Sequence, residues 1–224
     1  MTSTLRVMTF NVRGFHHQDG ANSWKHREAL NIDTIQRCAA DLIGFQETQG
    51  GNVRAYHDQL PEYHYMAWPW YDNEPPHAFN AISWRPDTLR PVDSGGFWLS
   101  ETADRFSGSW NTDCIRCASW IKFACTESGA TIVHLNTHID HRSEQARVEG
   151  TRLIIDRLRD ATTDGSGAIV TGDFNTPVGS AVYRMYEDAG FSDAFVIAGN
   201  DDNPSSAFTY HGWHGSAFRG SDDQ

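Results

Sequence analysis

The segment from Ala168 to Thr176 constrains the fold more than any other part of the sequence. It is a short apolar run followed by a carboxylate and a carboxamide two residues apart. Such a run is typical of a buried β-strand, in which residues i and i+2 point to the same side. We therefore expect Asp173 and Asn175 to lie together at the end of a sheet. An ordinary Asp/Asn-rich turn after a strand would have the same pattern.

A second apolar strand that ends in an acid lies near the N-terminus. Residues 41–48 read Asp-Leu-Ile-Gly-Phe-Gln-Glu-Thr and contain Glu47. They follow a strand-like segment at 5–10 and a helix that apolar residues at helical spacing predict over 24–40. Strand–helix–strand order with short connections predicts an α/β arrangement with partly parallel strands. The two acid-terminated strands suggest two similar halves that face each other.

Several later segments also have clear patterns. Residues 114–124 and 130–136 predict a β-hairpin. An amphipathic helix with Ser143 as its cap is expected to run to Arg159, and a shorter helix over 180–189 should end at Gly190. Residues 208–213 are the strand-like piece of the C-terminal part.

Length and composition indicate a globular protein. The chain has 224 residues, of which 39% are hydrophobic, and no convincing linker, so we expect one domain over residues 1–224. No stretch approaches the roughly 20 apolar residues that span a bilayer. Residues 1–6 lead straight into a strand, which leaves no room for a signal peptide. We therefore expect a cytoplasmic protein with no membrane partner.

The net charge of −11 counts against broad electrostatic capture of nucleic acid. It does not exclude a phosphate-bearing substrate, because a bound divalent cation reverses the local field around its acidic ligands. Two of the four cysteines, Cys114 and Cys117, have C-x-x-C spacing, but there is no second pair at zinc-site spacing. We interpret the thiols as buried or incidental rather than as a metal or redox site.

Four predicted strand ends carry polar side chains: Asn11, Glu47, His138 (with Asp140 and His141), and Asp173 with Asn175. Ligands of α/β sheets bind beyond strand ends, on loops that a rigid scaffold positions. Carboxylate, amide and imidazole groups without clustered cysteine favour a hard cation such as Mg²⁺ or Mn²⁺. A zinc site built on His138 and His141 stays open. The sequence contains neither a P-loop nor a G-x-S-x-G nucleophile motif, which excludes those two enzyme classes.

The polar strand ends belong to four motifs in a fixed order. They are Thr9-Phe10-Asn11, Gln46-Glu47, Asn136-Thr137-His138 and Gly172-Asp173-Phe174-Asn175. Together they resemble the endonuclease/exonuclease/phosphatase superfamily, over nearly the whole chain. This superfamily includes apurinic/apyrimidinic endonucleases, deoxyribonuclease I, poly(A) deadenylases, neutral sphingomyelinases and inositol polyphosphate 5-phosphatases. Residues 96–100 and 136–141 are similar to an uncharacterised, mainly bacterial branch that is related to the deadenylase-like members.

The resemblance implies a fold and a role for each motif residue. The fold would be a four-layer α/β/β/α sandwich of two mixed sheets flanked by helices. Glu47 would ligate the metal with Asn11 beside it, and His138 would stabilise charge on the phosphoryl oxygens. Asp173 would orient or deprotonate the attacking water, and Asn175 would hold the phosphate or the water in line. Two further residues could contact the phosphate, although surface or structural roles stay open for both: Arg116 and His141.

The sequence departs from the superfamily pattern at its C-terminus. The pattern continues to a terminal Ser-Asp-His and a last strand, whereas Ser221-Asp222-Asp223 lacks the histidine and the strand context. We therefore expect a sandwich without its last C-terminal strands, either as a truncated copy of a longer protein or as an impaired version.

The resemblance implies a Mg²⁺- or Mn²⁺-dependent phosphoesterase, and we expect phosphodiester hydrolysis by direct attack of water. Its substrate would be nucleic acid or a small phosphorylated molecule. Two alternatives stay open. One is a phosphomonoesterase that acts on a small phosphorylated metabolite or an inositol phosphate. The other is a non-catalytic fragment that keeps the fold and the metal site. Neither the natural substrate nor the oligomeric state follows from the sequence.

Overall fold

The computed structural model describes residues 4–68, 79–200 and 209–218. The chain divides into two compact units, residues 1–175 and 176–224, and each is described by itself. All strands found among the described residues lie in the first unit. The single domain expected over 1–224 stays a prediction, and the C-terminal stretch 221–223 lies outside the described residues.

The first sheet contains four strands in the order β1-β2-β4-β3. β1 and β2 are parallel, and the remaining pairs are antiparallel. A helix, α1, connects β1 to β2, and a second helix, α2, follows β2. The bounds are β1 Val7–Asn11, α1 Trp24–Cys38, β2 Leu42–Thr48, α2 Gly50–Gln59, β3 His64–Trp68 and β4 Phe79–Trp84.

The second sheet contains four strands in the order β5-β6-β7-β8. β7 and β8 are parallel and are joined through helix α3, whereas β5, β6 and β7 are antiparallel. The bounds are β5 Leu89–Trp98, β6 Cys117–Cys125, β7 Thr131–His138, α3 Glu144–Ala161 and β8 Gly167–Asp173. Each sheet thus contains one parallel pair joined by a helix, and the prediction of two mixed sheets in an α/β sandwich is confirmed.

Helices cover the outer faces of both sheets. On the first sheet, Trp24 of α1 and Tyr56 of α2 pack with Phe45 of β2 in one buried cluster. On the second sheet, the guanidinium of Arg157 in α3 lies over the ring of Phe97, which places α3 on the outer face. The amphipathic stripes that predict α1 and α3 are therefore the surfaces that pack on the sheets.

The caps of these two helices differ. Ser143 caps α3 as expected, because its Oγ accepts the backbone N–H of Ala146 at 3.1 Å. Ser23 precedes α1, but its hydroxyl donates to the carbonyl of Gly20 at 2.8 Å and accepts no helical N–H. The preceding 3₁₀ turn, Gly20–Asn22, supplies that carbonyl and competes for the hydroxyl.

The faces between the two sheets carry a buried polar layer. Asn136 of β7 donates from Nδ2 to the carbonyls of Phe45 (2.7 Å) and Ala81 (3.0 Å) in the first sheet. Its Oδ1 accepts from Gln46 Nε2 at 2.7 Å and from Thr171 Oγ1 at 3.1 Å. A buried amide with all four hydrogen bonds satisfied fixes how the two sheets lie against each other.

This close approach requires a glycine on β2. A Cβ placed on Gly44 would lie 2.0 Å from Thr171 Oγ1 and 2.7 Å from Asn136 Oδ1. No side chain fits at those distances, so the glycine that interrupts the apolar run of β2 lets the polar layer form.

The second unit contains helix α4, Ala181–Asp188, and a short helix α5, Ala194–Ile197. Ser180 caps α4 by accepting the N–H of Tyr183. The helix ends at Gly190 as expected, and this glycine has a φ of +89°. The strand expected over 208–213 is not formed by its described residues, 209–213, which are irregular or in a turn. The ring of Tyr210 packs edge-on against Phe218, so the segment folds back on itself.

No helix in the described ranges is both long and apolar enough to cross a membrane.

Candidate active site

The carboxyl ends of β1, β2, β7 and β8 bring four of the predicted residues together. Asn11 is the last residue of β1, and Glu47 lies one residue before the end of β2. His138 and Asp173 end the parallel strands β7 and β8 and are register partners. Parallel strands present their carboxyl ends at one edge, so strand pairing alone accounts for much of this convergence.

Asn11 bridges two carboxylates. Its Nδ2 donates to Glu47 Oε1 and to Asp173 Oδ2, both at 2.8 Å, while its Oδ1 accepts the backbone N–H of Arg13 at 2.9 Å. The amide therefore turns its donor side to the two acids and reduces the repulsion between them. Its predicted place at the metal or phosphate stays a prediction.

Glu47 has an unusual backbone conformation. Its φ is +61°, in the left-handed region, and the pairing of β2 with β4 shifts register between Phe45 and Thr48. A non-glycine residue in this region costs about 1–3 kcal/mol and persists where the surrounding structure imposes it. The bulge turns the Glu47 side chain towards Asn11. His17 Nε2 lies 3.3 Å from the other oxygen, Oε2.

His138 is buried, with 7% of its surface exposed, and its Nε2 lies 3.7 Å from Asp173 Oδ2. Burial lowers the pKa of His138, and the charge of Arg116 lowers it further. The carboxylates of Asp173 and Glu47 oppose this shift without cancelling it. The imidazole is therefore neutral at neutral pH, and it can donate one hydrogen bond or ligate a metal through Nε2.

Asn175 supports Asp173 from the following loop. Its backbone N–H donates to Asp173 Oδ1 at 3.2 Å, and its Nδ2 donates to the carbonyl of Ile139 at 3.0 Å. Its φ of +44° is again left-handed. One Nδ2 hydrogen of Asn175 is thus bonded to the carbonyl of Ile139, just after β7. The other Nδ2 hydrogen and Oδ1 are the atoms that could make the predicted phosphate or water contact.

We call Glu47, His138 and Asp173 the acid–histidine cluster. One potential ligand atom from each lies within 4.8 Å of the others. Two carboxylates and one neutral imidazole suit a hard divalent cation. The donor set therefore fits the metal that the sequence predicts.

Arg116 and His141 lie in contact with each other next to this cluster. Arg116 Nη2 is 3.2 Å from His141 Nδ1, and His141 Nε2 is 3.4 Å from Asp113 Oδ2. Cys114 is a neighbour, and Asp113, Cys114 and His141 form a second group of potential ligand atoms within 4.8 Å, which we call the thiol cluster.

No pattern in the sequence assigns a role to His17 or Asp113. Both lie in irregular loops, where no periodicity shows which residues a side chain contacts. The proximity of Asp113 to Cys114 and the large number of histidines were the available signals.

The protein is an α/β sandwich of two mixed sheets, with a carboxylate–histidine cluster at the carboxyl ends of its strands. The family model described as the Endonuclease/Exonuclease/phosphatase family matches residues 8–221. The chain belongs to this family, whose members hydrolyse phosphoester bonds and generally use divalent metals.

Solved structures agree with this membership. A mannosyl-6-phosphatase of Bacteroides thetaiotaomicron is 30% identical to this chain, and the two superpose with a TM-score of 0.78. The match covers 84% of this chain and 71% of the phosphatase chain. A family protein of Bacteroides vulgatus is 31% identical with a TM-score of 0.76, covering 82% and 70%. The human Nocturnin catalytic domain, solved with a bound sulfate anion, is 20% identical with a TM-score of 0.69, covering 89% and 74%, and shows the shared fold. A search of curated proteins gave no match.

Proposed function

We propose that this chain is a divalent-metal-dependent phosphoesterase in which water attacks phosphorus directly. The observation that carries the proposal is the convergence of Glu47, His138 and Asp173, with Asn11 donating to both acids. Family membership supports the same reaction class. The substrate is a phosphate ester, of nucleic acid or of a small molecule. A cytoplasmic location stays a prediction.

Glu47 is the proposed metal-binding carboxylate, and Mg²⁺ or Mn²⁺ is the proposed ion. Asp173 lies close enough to Glu47 that it could help to hold the ion. When bound, the cation polarises the phosphoryl group and stabilises the leaving oxygen.

The protein side chains supply the remaining chemistry. Asp173 accepts a hydrogen bond from the attacking water and takes its proton. Hydrogen bonds from Asn11 and from the N–H of Asn175 hold its carboxylate in place for this role. His138 stabilises negative charge on a phosphoryl oxygen by donating from its imidazole. The interior position of His138 fixes that donor before the substrate arrives.

Two ester classes remain candidates. Phosphodiester hydrolysis is the first, as the sequence motifs suggest. Phosphomonoester hydrolysis is the second. The position of Arg116 at the same end of the sheet as His138 favours it, since a terminal phosphate carries more charge for an arginine to balance. The relative named a mannosyl-6-phosphatase also supports this second candidate.

Hydrolysis of bis-p-nitrophenyl phosphate and of p-nitrophenyl phosphate tests the proposal, with Mg²⁺ or Mn²⁺ and then with EDTA. We expect metal-dependent activity that falls about 10³-fold in Glu47→Gln and in Asp173→Asn. His57→Ala is the matched control, because His57 is an exposed histidine on α2 away from these contacts. Full activity in either acid variant would show that the site is elsewhere, and no activity in the wild type would support the non-catalytic alternative.

A further inference from the structure

A row of three side chains lies beside the acid–histidine cluster. Asp113 comes from the loop between β5 and β6, Arg116 precedes β6 directly, and His141 follows β7. The contacts are Asp113 Oδ2 to His141 Nε2 at 3.4 Å and His141 Nδ1 to Arg116 Nη2 at 3.2 Å. We call these three residues the arginine triad.

The chemistry of arginine fixes the protons in the triad. A guanidinium can only donate, so His141 Nδ1 must be the acceptor. The ring proton of His141 is then on Nε2, which faces the carboxylate of Asp113. Asp113 thus orients the imidazole, and the imidazole orients Arg116, in the way that a carboxylate orients a functional histidine elsewhere.

The triad residues do not suit a metal ion, although Asp113 and His141 also belong to the thiol cluster. Arg116 lies against His141, and Arg142 Nη1 is 3.5 Å from Asp113 Oδ1. Two guanidinium groups oppose the binding of a cation there. His141 could ligate a metal through Nε2 only if its ring proton moved to Nδ1. The proton would then face the N–H donor of Arg116, which is unfavourable.

Arg116 is held in a way that leaves it available to an anion. Its carbonyl accepts the N–H of Leu99 at 2.8 Å, which ties its backbone to the end of β5. Ala118 of β6 pairs with Thr137 of β7, so Arg116 lies at the end of the sheet where β7 carries His138. Its charge lowers the pKa of His138. Its Nε is buried and has no hydrogen-bond partner among the described residues. A buried charged donor without an acceptor is costly unless a ligand supplies one.

We propose that Asp113 and His141 are positioning residues that hold Arg116 as a fixed clamp for the terminal phosphate of a monoester. This inference rests on the proposed phosphoesterase function and deepens it. Arg116 would contact the phosphoryl oxygens through its planar edge, and His141 would act through Arg116 rather than on the phosphate. The substrate class that this arrangement fits is a phosphomonoester, which carries one more negative charge and one more free oxygen than a diester.

Steady-state hydrolysis of p-nitrophenyl phosphate and bis-p-nitrophenyl phosphate by the full chain with Mn²⁺ separates the roles. We expect Arg116→Ala to lower kcat/KM for the monoester about 100-fold and for the diester about 10-fold. Added guanidinium should restore part of the monoester activity of Arg116→Ala. Asp113→Asn and His141→Ala should each lower the monoester value about fivefold, mainly through KM, with a smaller effect on the diester.

Arg142→Ala is the matched control. Arg142 also contacts Asp113, but it lies outside the triad and its side chain is 73% exposed. Its replacement should leave the ratio of monoester to diester activity unchanged. Equal losses on both esters in the triad variants, or an Arg142→Ala effect equal to that of Arg116→Ala, would overturn the clamp.

Binding of inorganic phosphate separates failure of the clamp from failure of the proposed function. A wild type without hydrolysis would contradict the phosphoesterase proposal. Calorimetric titration with phosphate in the presence of Mn²⁺ would then decide the clamp by itself. Weaker binding in Arg116→Ala than in Arg142→Ala would support it, and equal binding, or none in the wild type, would contradict it.

Discussion

The acid–histidine cluster and the thiol cluster contain similar ligand types at similar spacing, yet their neighbours make them chemically different. The acids of the first cluster share a neutral donor, the amide of Asn11. Within the described ranges, neither Glu47 nor Asp173 has a lysine or arginine at ion-pair distance. The second cluster is in contact with Arg116 and Arg142. Ligand spacing alone therefore does not identify a cation site, because the surrounding charge decides whether a cation is favoured.

The two clusters also rest on different supports. The first lies above the buried polar layer, where Asn136 joins the two sheets through uncharged hydrogen bonds. The second rests on Asp140, whose carboxylate accepts from Thr112 Oγ1 and from backbone N–H groups that include Asp113 and Ser143. A neutral interior layer and a charged loop support should respond differently to mutation and to pH.

The largest expected effect is a loss of metal affinity when a positively charged side chain is placed next to the acid–histidine cluster, as Arg116 and Arg142 are placed next to the thiol cluster. Asn11→Lys puts an ammonium group between Glu47 and Asp173, where it competes with a metal ion. A charge about 4 Å away contributes about 1–4 kcal/mol near a protein surface, so Mn²⁺ affinity should fall about 100-fold. Calorimetric titration with Mn²⁺ measures this. Asn11→Ser should lose much less, and unchanged affinity in the lysine variant would argue against a cation at this cluster.

Replacing the interior support should lower stability at neutral pH. Asn136→Leu leaves Gln46, Thr171 and two backbone carbonyls without their shared partner. We expect the free energy of unfolding to fall by about 3 kcal/mol, since a buried polar group that loses a partner costs about 1–3 kcal/mol. Gln46 keeps the carbonyl of Gly44, and Thr171 keeps His134, so the loss falls mainly on the two carbonyls. Urea unfolding monitored by circular dichroism measures the change. A loss below about 0.5 kcal/mol would mean that the layer contributes little.

Replacing the charged support should give a pH-dependent loss. Burial opposes ionisation of Asp140, but hydrogen bonds from Ser143, Thr112 and Arg142 outweigh it and hold the pKa of Asp140 well below its usual range. Its stabilisation is therefore complete above the unfolded pKa of about 4 and declines as pH falls below it. Asp140→Asn should cost about 2 kcal/mol at pH 7 and less at pH 3.

Urea unfolding of Asp140→Asn and of the wild type at pH 3 and pH 7 checks this dependence. An equal loss at both values in Asp140→Asn would contradict the role of the ionised carboxylate.

The smallest effect expected is a gain at the thiol cluster. Removing both guanidinium groups, in Arg116→Ala with Arg142→Ala, should improve Zn²⁺ binding by Asp113, Cys114 and His141 about 10-fold. The gain should disappear when Cys114→Ser is added. If Zn²⁺ binds this cluster tightly in the wild type, the neighbouring charge does not decide between the clusters.

The sequence predicts the parts of the molecule that periodicity and strand ends determine. Apolar runs that end at Glu47 and Asp173, with an amphipathic helix before each, are enough to expect parallel pairs with acids at one edge. The same logic gives the cap at Ser143 and the end of a helix at Gly190. These features depend on local propensity and on the geometry of one sheet.

Features that depend on contacts across the fold were not predictable in the same way. The left-handed conformation of Glu47 follows from a bulge against β4. The donor role of Asn11 depends on its contact with Asp173, which belongs to the other sheet. Asp113 reaches His141 because the carboxylate of Asp140, the residue before His141, accepts the backbone N–H of Asp113. Ser23 fails as a side-chain cap because a nearby carbonyl takes its hydroxyl.

Calorimetric titration of Mn²⁺ into three proteins tests the central claim most directly: the wild type, the double variant Glu47→Gln with Asp173→Asn, and the double variant Asp113→Asn with Cys114→Ala. We predict binding in the wild type, its loss in the first double variant and its retention in the second. Binding that survives in the first double variant and disappears in the second would contradict the assignment of the metal to the acid–histidine cluster.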